Sequence, residues 1–352
     1  MKGPNLFSYA TSELSQDAFI CWLLAWASPE YKEVDNDLHQ CGIEFIRALF
    51  AKQGKTSPTD IAEIKIKKQY KNIDVLCIVN GTYAVLIEDK VGTKHHSGQL
   101  ARYYRELEKE GFSQERIIPI YCKTEDQSNY NQVKINKYEP FLRRDILEVL
   151  NTYKGSNNIL VDYRERLQFI EDEVNGYKTK DISKWNQRNW TGFYMELQER
   201  LGEEGKKKGN WGYVANANGG FLGFWWHLQG DKAACRQFLQ LEYRHEKLKE
   251  GKDKDGKDKV VKGKLCFKIE VKNKDDRKRH RSKWYKILKE RAKEYGLDLV
   301  KPTRFGSGKT MTVCQLKEDY RNSKNGIVDM DKTVEVLKKA GKLLGSVQEV
   351  QE

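Results

Sequence analysis

The run IDVLCIVNGTYAVLIEDK, from Ile73 to Lys90, decides the fold. Two β-branched runs, Ile73 to Val79 and Thr82 to Ile87, flank Asn80-Gly81, a pair that marks a tight hairpin because both residues tolerate a positive φ. Both faces of this hairpin are largely apolar, which places it in the middle of a sheet covered on two sides. Against that background Asp74, Glu88 and Lys90 stand out, since a charge in a covered strand is costly unless it is paired or bound to a metal.

Glu88 and Lys90 are two apart in one strand, so their side chains leave the same face. A three-residue loop pairing Val79 with Tyr83 would set Asp74 opposite Glu88 and bring all three groups together. A two-residue Asn-Gly turn would pair Asp74 with Ile87 and turn it away. Two carboxylates at cross-strand distance repel without a cation, and an all-oxygen set of this kind suits Mg²⁺ or Mn²⁺. A lysine beside that cation could orient or deprotonate a water for attack on phosphorus.

Asp74 followed by Glu88-Asp89-Lys90 after a hairpin resembles the D…(D/E)-x-K signature of the PD-(D/E)XK nuclease superfamily, with Ile73 where the motif's proline often stands. The run I-E-D-K-V, followed by Gln99-Leu100-Ala101-Arg102-Tyr103-Tyr104, is similar to a bacterial subgroup with an I-E-x-K strand and a Q-L-x-x-Y-Y helix. The resemblance runs over roughly residues 5 to 125. It implies metal ligation by Asp74 and Glu88, joined by the Asp89 backbone carbonyl, with Lys90 positioning the attacking water. It also implies a positioning role for Gln99, with Tyr103 as a lesser candidate. The first helix of such proteins supplies an acidic residue near the metal, and the E-L-S-x-x-A-F run at Glu13 to Phe19 looks like it. Glu13 is therefore a candidate accessory ligand; equally, it is a first-turn carboxylate that favours the helix dipole.

With 352 residues, two domains are expected: a nuclease-like domain over 1–180, a connecting helix and linker over 181–209, and a basic α+β domain over 210–352. No apolar run approaches the length needed to span a bilayer, the N-terminus lacks a secretory pattern, and no membrane partner is expected. The seven cysteines are scattered singly, which suits reduced core thiols in a cytoplasmic protein. The net charge of +13 is unevenly placed: residues 1–210 hold 31 basic and 31 acidic side chains, and residues 211–352 hold 33 and 20. From Lys247 to Lys293 there are 20 basic and 8 acidic residues. Such a field suits a polyanion; the bland alternative is a lysine-rich solvated loop.

In chain order, Thr11 or Ser12 caps a helix from about Glu13 to Ala27, with Leu14, Ala18, Cys21, Trp22 and Ala25 on its buried stripe. Leu38 to Gln53 is a second amphipathic helix, and Ile61 to Tyr70 an edge strand. His95-His96 stand adjacent, not at ligand spacing. Gln99 to Glu110 is a helix that buries Leu100, Tyr103, Tyr104 and Leu107. Ile117 to Tyr121 is a buried strand, parallel to the Glu88 strand. Residues 125–137 look loop-like, Pro140 starts a helix to about Tyr153, and further helices cover Ile159 to Val174 and Ser183 to Gly202. The fold expected is α/β, a restriction-endonuclease-like core with a mixed central sheet flanked by helices.

The C-terminal part alternates like a mainly antiparallel sheet of four or five strands, with Lys249 to Lys264 as a loop and Ser282 capping a helix from Lys283 to Tyr295. Lys278, Arg279, Arg281, Lys286, Lys289 and Lys293 are its candidate nucleic-acid contacts. Gly306-Ser-Gly-Lys-Thr310 suggests a nucleotide-binding loop, but the pattern requires a glycine where Thr303 stands and a helix where a strand follows. It is read as a turn entering a strand.

The function expected is a metal-dependent nuclease, endo- or exonucleolytic, acting on nucleic acid, DNA ahead of RNA, in which a homodimer would suit two cuts in a duplex. One rival is a catalytically silent nucleic-acid-binding or regulatory protein on the same fold. Another is a structural ion network in which Lys90 neutralises Asp74 and Glu88, with a C-terminal unit that mediates assembly.

Overall fold

The computed structural model describes residues 4–93, 98–202, 208–215, 220–227, 235–247 and 259–349. The chain divides into two compact units, Met1–Asp172 and Glu173–Glu352.

In the first unit, helix α1 (Glu13–Ala25) begins where the Ser12 hydroxyl accepts the Ser15 amide, and α2 (Asn36–Lys52) where Asp35 accepts the Leu38 amide. The two helices pack closely at Gly42, where a Cβ would lie 2.7 Å from the Ala27 nitrogen and 2.8 Å from the Leu23 oxygen. Strands β1 (Ile64–Tyr70), β2 (Ile73–Val79) and β3 (Tyr83–Lys90) form an antiparallel meander. Helix α3 (Gln99–Lys109) then leads to β4 (Ile117–Lys123), parallel to β3, and α4 (Asn131–Ile135) leads to β5 (Glu139–Leu142), parallel to β4. Helices α5 (Arg143–Leu150) and α6 (Asn158–Asn175) follow. The sheet order is β1-β2-β3-β4-β5, with the apolar hairpin at its centre and β1 at an edge.

Val79 pairs with Tyr83 and Val75 with Ile87, so the connection is the three-residue loop Asn80-Gly81-Thr82. Asn80 and Gly81 take φ values of 52° and 61°, and the Thr82 amide donates to the Val79 carbonyl at 3.0 Å. One step beyond the Val75–Ile87 pair, Asp74 falls opposite Glu88.

Three local expectations change. Pro140 lies in β5 instead of starting a helix; β5 is an edge strand, where a residue without an N–H is tolerated. The stretch expected as loop contains α4. The buried face of α1 is also rotated: Gln16, Asp17, Phe19, Ile20, Leu23 and Leu24 are buried, whereas Leu14 is 60% exposed. Apolar residues surround this helix, so periodicity did not single out one face, and polar partners for Gln16 and Asp17 turn those two inward.

The second unit holds α7 (Gln187–Arg200), then β6 (Asn210–Val214), β7 (Phe221–His227), β8 (Cys235–Lys247) and β9 (Lys259–Val271). Helix α8 (Arg277–Arg291), β10 (Leu299–Val300), β11 (Thr310–Leu316), the small pair β12 (Ser323–Lys324) and β13 (Ile327–Val328), and α9 (Met330–Glu349) complete it. Among the described residues its sheet has six antiparallel strands in the order β10-β11-β9-β8-β7-β6, rather than four or five. Trp190 of α7, Trp284 of α8 and Leu337 of α9 share one core with Leu239, Leu241, Leu265 and Phe267 of the sheet. The helix expected as a connector is thus part of this core, and Trp190 stacks on Tyr243 with ring centroids 5.1 Å apart.

Pairing of β8 with β9 extends to Lys247 opposite Lys259, so the end of the expected Lys249–Lys264 loop is strand; residues 248–258 lie outside the described residues. Helix α8 starts at Arg277, ahead of Ser282. Asp275 and Asp276 precede its basic first turn and supply the negative charge that the helix N-terminus favours, and Arg279 pairs with Asp276 at 2.8 Å.

Candidate active site

Strand alternation sends Glu88 and Lys90 to the α3 side of the first sheet and Asp89 to the α1 side. On the α3 side, Lys90 Nζ lies 2.7 Å from Glu88 Oε1, 3.4 Å from Asp74 Oδ2 and 3.7 Å from Glu13 Oε2. It also donates to the Asp89 carbonyl at 2.6 Å. Asp74 is fixed by the Asp89 amide, which donates to Oδ2 at 2.9 Å.

Glu88 is fully buried, and its Oε2 has no hydrogen-bond partner among the described residues. Burial, with the Asp74 carboxylate beside it, pushes its carboxyl up to about 7 despite the Lys90 ammonium. Burial works against charge on Lys90 as well, but Glu88, Asp74 and Glu13 outweigh it and raise the ammonium above its ordinary range. With these carboxylates around it, Lys90 is held as an ammonium.

The carboxylate of Glu13 does more than face a helix dipole. Its Oε1 accepts from the Thr93 hydroxyl at 2.6 Å and the Val91 amide at 3.3 Å. Lys123, beside Lys90 in the parallel ladder, donates to the carbonyls of Val91 at 3.3 Å and Thr93 at 2.5 Å. Burial pulls its ammonium down to about 8. Residues 91–93, which leave the Lys90 strand, are thus gripped from two sides. His95-His96 lie outside the described residues.

On the α1 side, Gln16 donates to Asp89 Oδ1 at 2.5 Å and accepts from the Thr124 hydroxyl at 2.8 Å. Gln69 donates to Asp17 at 3.1 Å and to Asp74 at 3.4 Å, which ties the two faces together. Burial, with Asp17 nearby, holds Asp89 well above the usual carboxylate range, and Asp17 is raised by burial and by Asp74. Gln16, Asp17, Gln69, Lys123 and Thr124 escaped the sequence reading. Their partners are far away in sequence, and the one available signal was a polar pair in an otherwise apolar first helix.

Gln99 opens α3 and donates to the Tyr103 hydroxyl at 3.0 Å. Tyr138 is a buried phenol whose hydroxyl donates to the Leu100 carbonyl at 3.2 Å. Burial pushes that hydroxyl well up, with Glu88 as the next cause. Among the described residues no group of three or more His, Cys, Asp or Glu side chains is arranged to hold a metal ion. The Lys90 ammonium stands among the carboxylates instead. The donor chemistry nevertheless fits a hard divalent cation: two carboxylates directly opposite one another across the hairpin, a backbone carbonyl, and a buried Glu88 oxygen without a hydrogen-bond partner among the described residues.

Residues 4–196, more than half the chain, match the family model of the PD-(D/E)XK nuclease superfamily. The chain belongs to that superfamily. No curated protein and no solved structure matches it. The mixed five-stranded sheet is the PD-(D/E)XK core, and the family makes a nucleic acid the natural substrate. Among the described residues no helix is long and apolar enough to cross a membrane.

The six basic residues singled out in the second unit all lie on α8 or the turn that follows. Lys278, Arg279, Lys286 and Lys293 are exposed. Arg281 donates to the Phe305 and Gly306 carbonyls, and Lys289 to the Leu299 carbonyl.

Proposed function

We propose that this protein is a Mg²⁺- or Mn²⁺-dependent endonuclease that hydrolyses phosphodiester bonds of DNA in preference to RNA. The observation that carries the proposal is the convergence of Asp74, Glu88 and Lys90 across the central hairpin of a PD-(D/E)XK chain. Asp74 and Glu88, with the Asp89 carbonyl, would hold the cation, which when bound supplies charge neutralisation at the scissile phosphate. Glu88 must give up its proton to do so. Lys90, kept protonated by its carboxylates, would orient the attacking water and donate to the oxygen on which charge develops. Glu13 and Lys123 would hold the strand exit so that the Lys90 ammonium stays in place.

The division of labour proposed is cleavage by the first unit and substrate binding by the basic second unit. All seven cysteines are free thiols, in keeping with a reducing, cytoplasmic setting. The test is Asp74→Ala: metal-dependent cleavage should vanish while DNA binding stays within a few-fold of the parent. Equal loss of both, with the melting temperature unchanged, would contradict this assignment.

A further inference from the structure

The segment from Lys301 to Lys309, KPTRFGSGK, includes the glycine-rich run that failed as a nucleotide-binding loop. Lys301, Arg304 and Gly306 through Lys309 are exposed, and the segment carries three cations and no acid. It is tied to α8. Arg281 donates to the Phe305 carbonyl at 2.6 Å and the Gly306 carbonyl at 2.5 Å, and its guanidinium carbon lies 4.0 Å from the Phe305 ring centroid. Lys301 sits 4.5 Å from the same centroid, and Tyr285 of α8 packs edge-on to that ring at 5.8 Å. Loop and helix therefore present one surface.

Four cations on this surface are left unpaired, while Arg279 pairs with Asp276, Lys289 with Asp298 and Lys309 with Glu270. Lys278, Lys286, Lys293 and Arg304 are exposed and have no ion partner among the described residues. A paired surface cation has most of its field cancelled, whereas an unpaired row keeps it for an outside anion. Tyr285, Lys286, Lys289, Glu290 and Lys293 line an open depression of about 520 Å³. From Lys278 to Lys293 the row spans about 22 Å at helical rise, a length comparable to much of a duplex turn.

We propose that α8 and the 301–309 loop form one clasp on the phosphodiester backbone of a nucleic acid. Lys278, Lys286 and Lys293 from the helix and Lys301 and Arg304 from the loop meet phosphates, while Arg281 is the tether that holds the loop to the helix. The clasp rests on the nucleic-acid substrate proposed above but not on catalysis.

The test uses the full chain in EDTA, with short labelled DNA and RNA duplexes titrated at several salt concentrations. The paired variants Lys286→Glu/Lys293→Glu and Lys301→Glu/Arg304→Glu should each weaken binding by roughly tenfold or more and flatten the log–log salt slope by about two. Arg281→Ala should weaken binding with the slope little changed, since it touches no phosphate. The duplex that shows these losses identifies the nucleic acid. Unchanged affinity in both paired variants, at the parent's melting temperature, overturns the clasp; a slope flattened as much by Arg281→Ala overturns the tether. Plasmid cleavage by the parent chain and its melting temperature, in Mg²⁺ and in Mn²⁺, are followed alongside. Cleavage with unaffected variant binding sinks the clasp and leaves the nuclease assignment. Absent cleavage in both Mg²⁺ and Mn²⁺, with no metal-induced change in melting temperature but with flattened slopes, keeps the clasp and sinks that assignment.

Discussion

Asp74 and Glu88 face one another because Val79 pairs with Tyr83, which places the loop Asn80-Gly81-Thr82 between the two strands. The candidate site therefore depends on a turn in which Asn80 and Gly81 both adopt positive φ, at 52° and 61°. Gly81→Val forces a β-branched residue into that region and should destabilise the protein by about 1–3 kcal/mol, read as a lower urea midpoint. An unchanged midpoint would show that the turn does not hold the register.

The pH behaviour of Glu88 follows from its raised carboxyl. The folded chain binds that proton more tightly than the unfolded chain, so between the ordinary carboxylate range and about 7 the folded state holds more protons. Stability of the metal-free protein should accordingly fall as pH rises through that window, by on the order of 3 kcal/mol in total. Glu88→Gln should remove this part of the pH dependence. Because a ligating carboxylate must be deprotonated, the rise in melting temperature produced by Mg²⁺ should grow with pH up to about 7 and then level off. Thermal unfolding with and without metal, on both sides of neutrality, measures both effects.

Lys90 neutralises buried carboxylates, so Lys90→Met leaves Glu88 and Asp74 uncompensated. In metal-free solution above neutral pH the loss should be about 3–5 kcal/mol. Below neutrality Glu88 can take up a proton and the loss should shrink. Mg²⁺ should stabilise Lys90→Met more than the parent, since a divalent cation replaces the missing positive charge. Equal metal-induced shifts in the two proteins would argue against a cation site at these carboxylates.

Gln16 holds Asp89 from the opposite side of the sheet, at 2.5 Å. Gln16→Leu leaves both Asp89 Oδ1 and the Thr124 hydroxyl without their partner and should cost about 1–3 kcal/mol, measured by denaturant unfolding.

The hairpin and the three central charges were legible because their signals are local: two β-branched runs, a turn dipeptide and two residues on one strand face; the mixed sheet came with the family resemblance. Pro140 misled because its helix-starting habit competes with its tolerance of an edge strand, and strand order is not written locally. The face of α1 was misjudged for a related reason. Leu14 looks like core beside Gln16 and Asp17 until Asp89, Gln69 and Thr124 arrive from distant segments to satisfy the polar pair. Lys123 reads as the polar end of a buried strand, and its grip on Val91 and Thr93 exists only once β3 and β4 lie in register.

Incubation of the purified protein with supercoiled plasmid in Mg²⁺, Mn²⁺ or EDTA, with Lys90→Met run in parallel, tests the central claim most directly. The account predicts nicking that requires the metal and falls by about a hundredfold or more in the variant. Nicking that survives in Lys90→Met, or no nicking in either metal together with no metal-induced change in melting temperature, would contradict it.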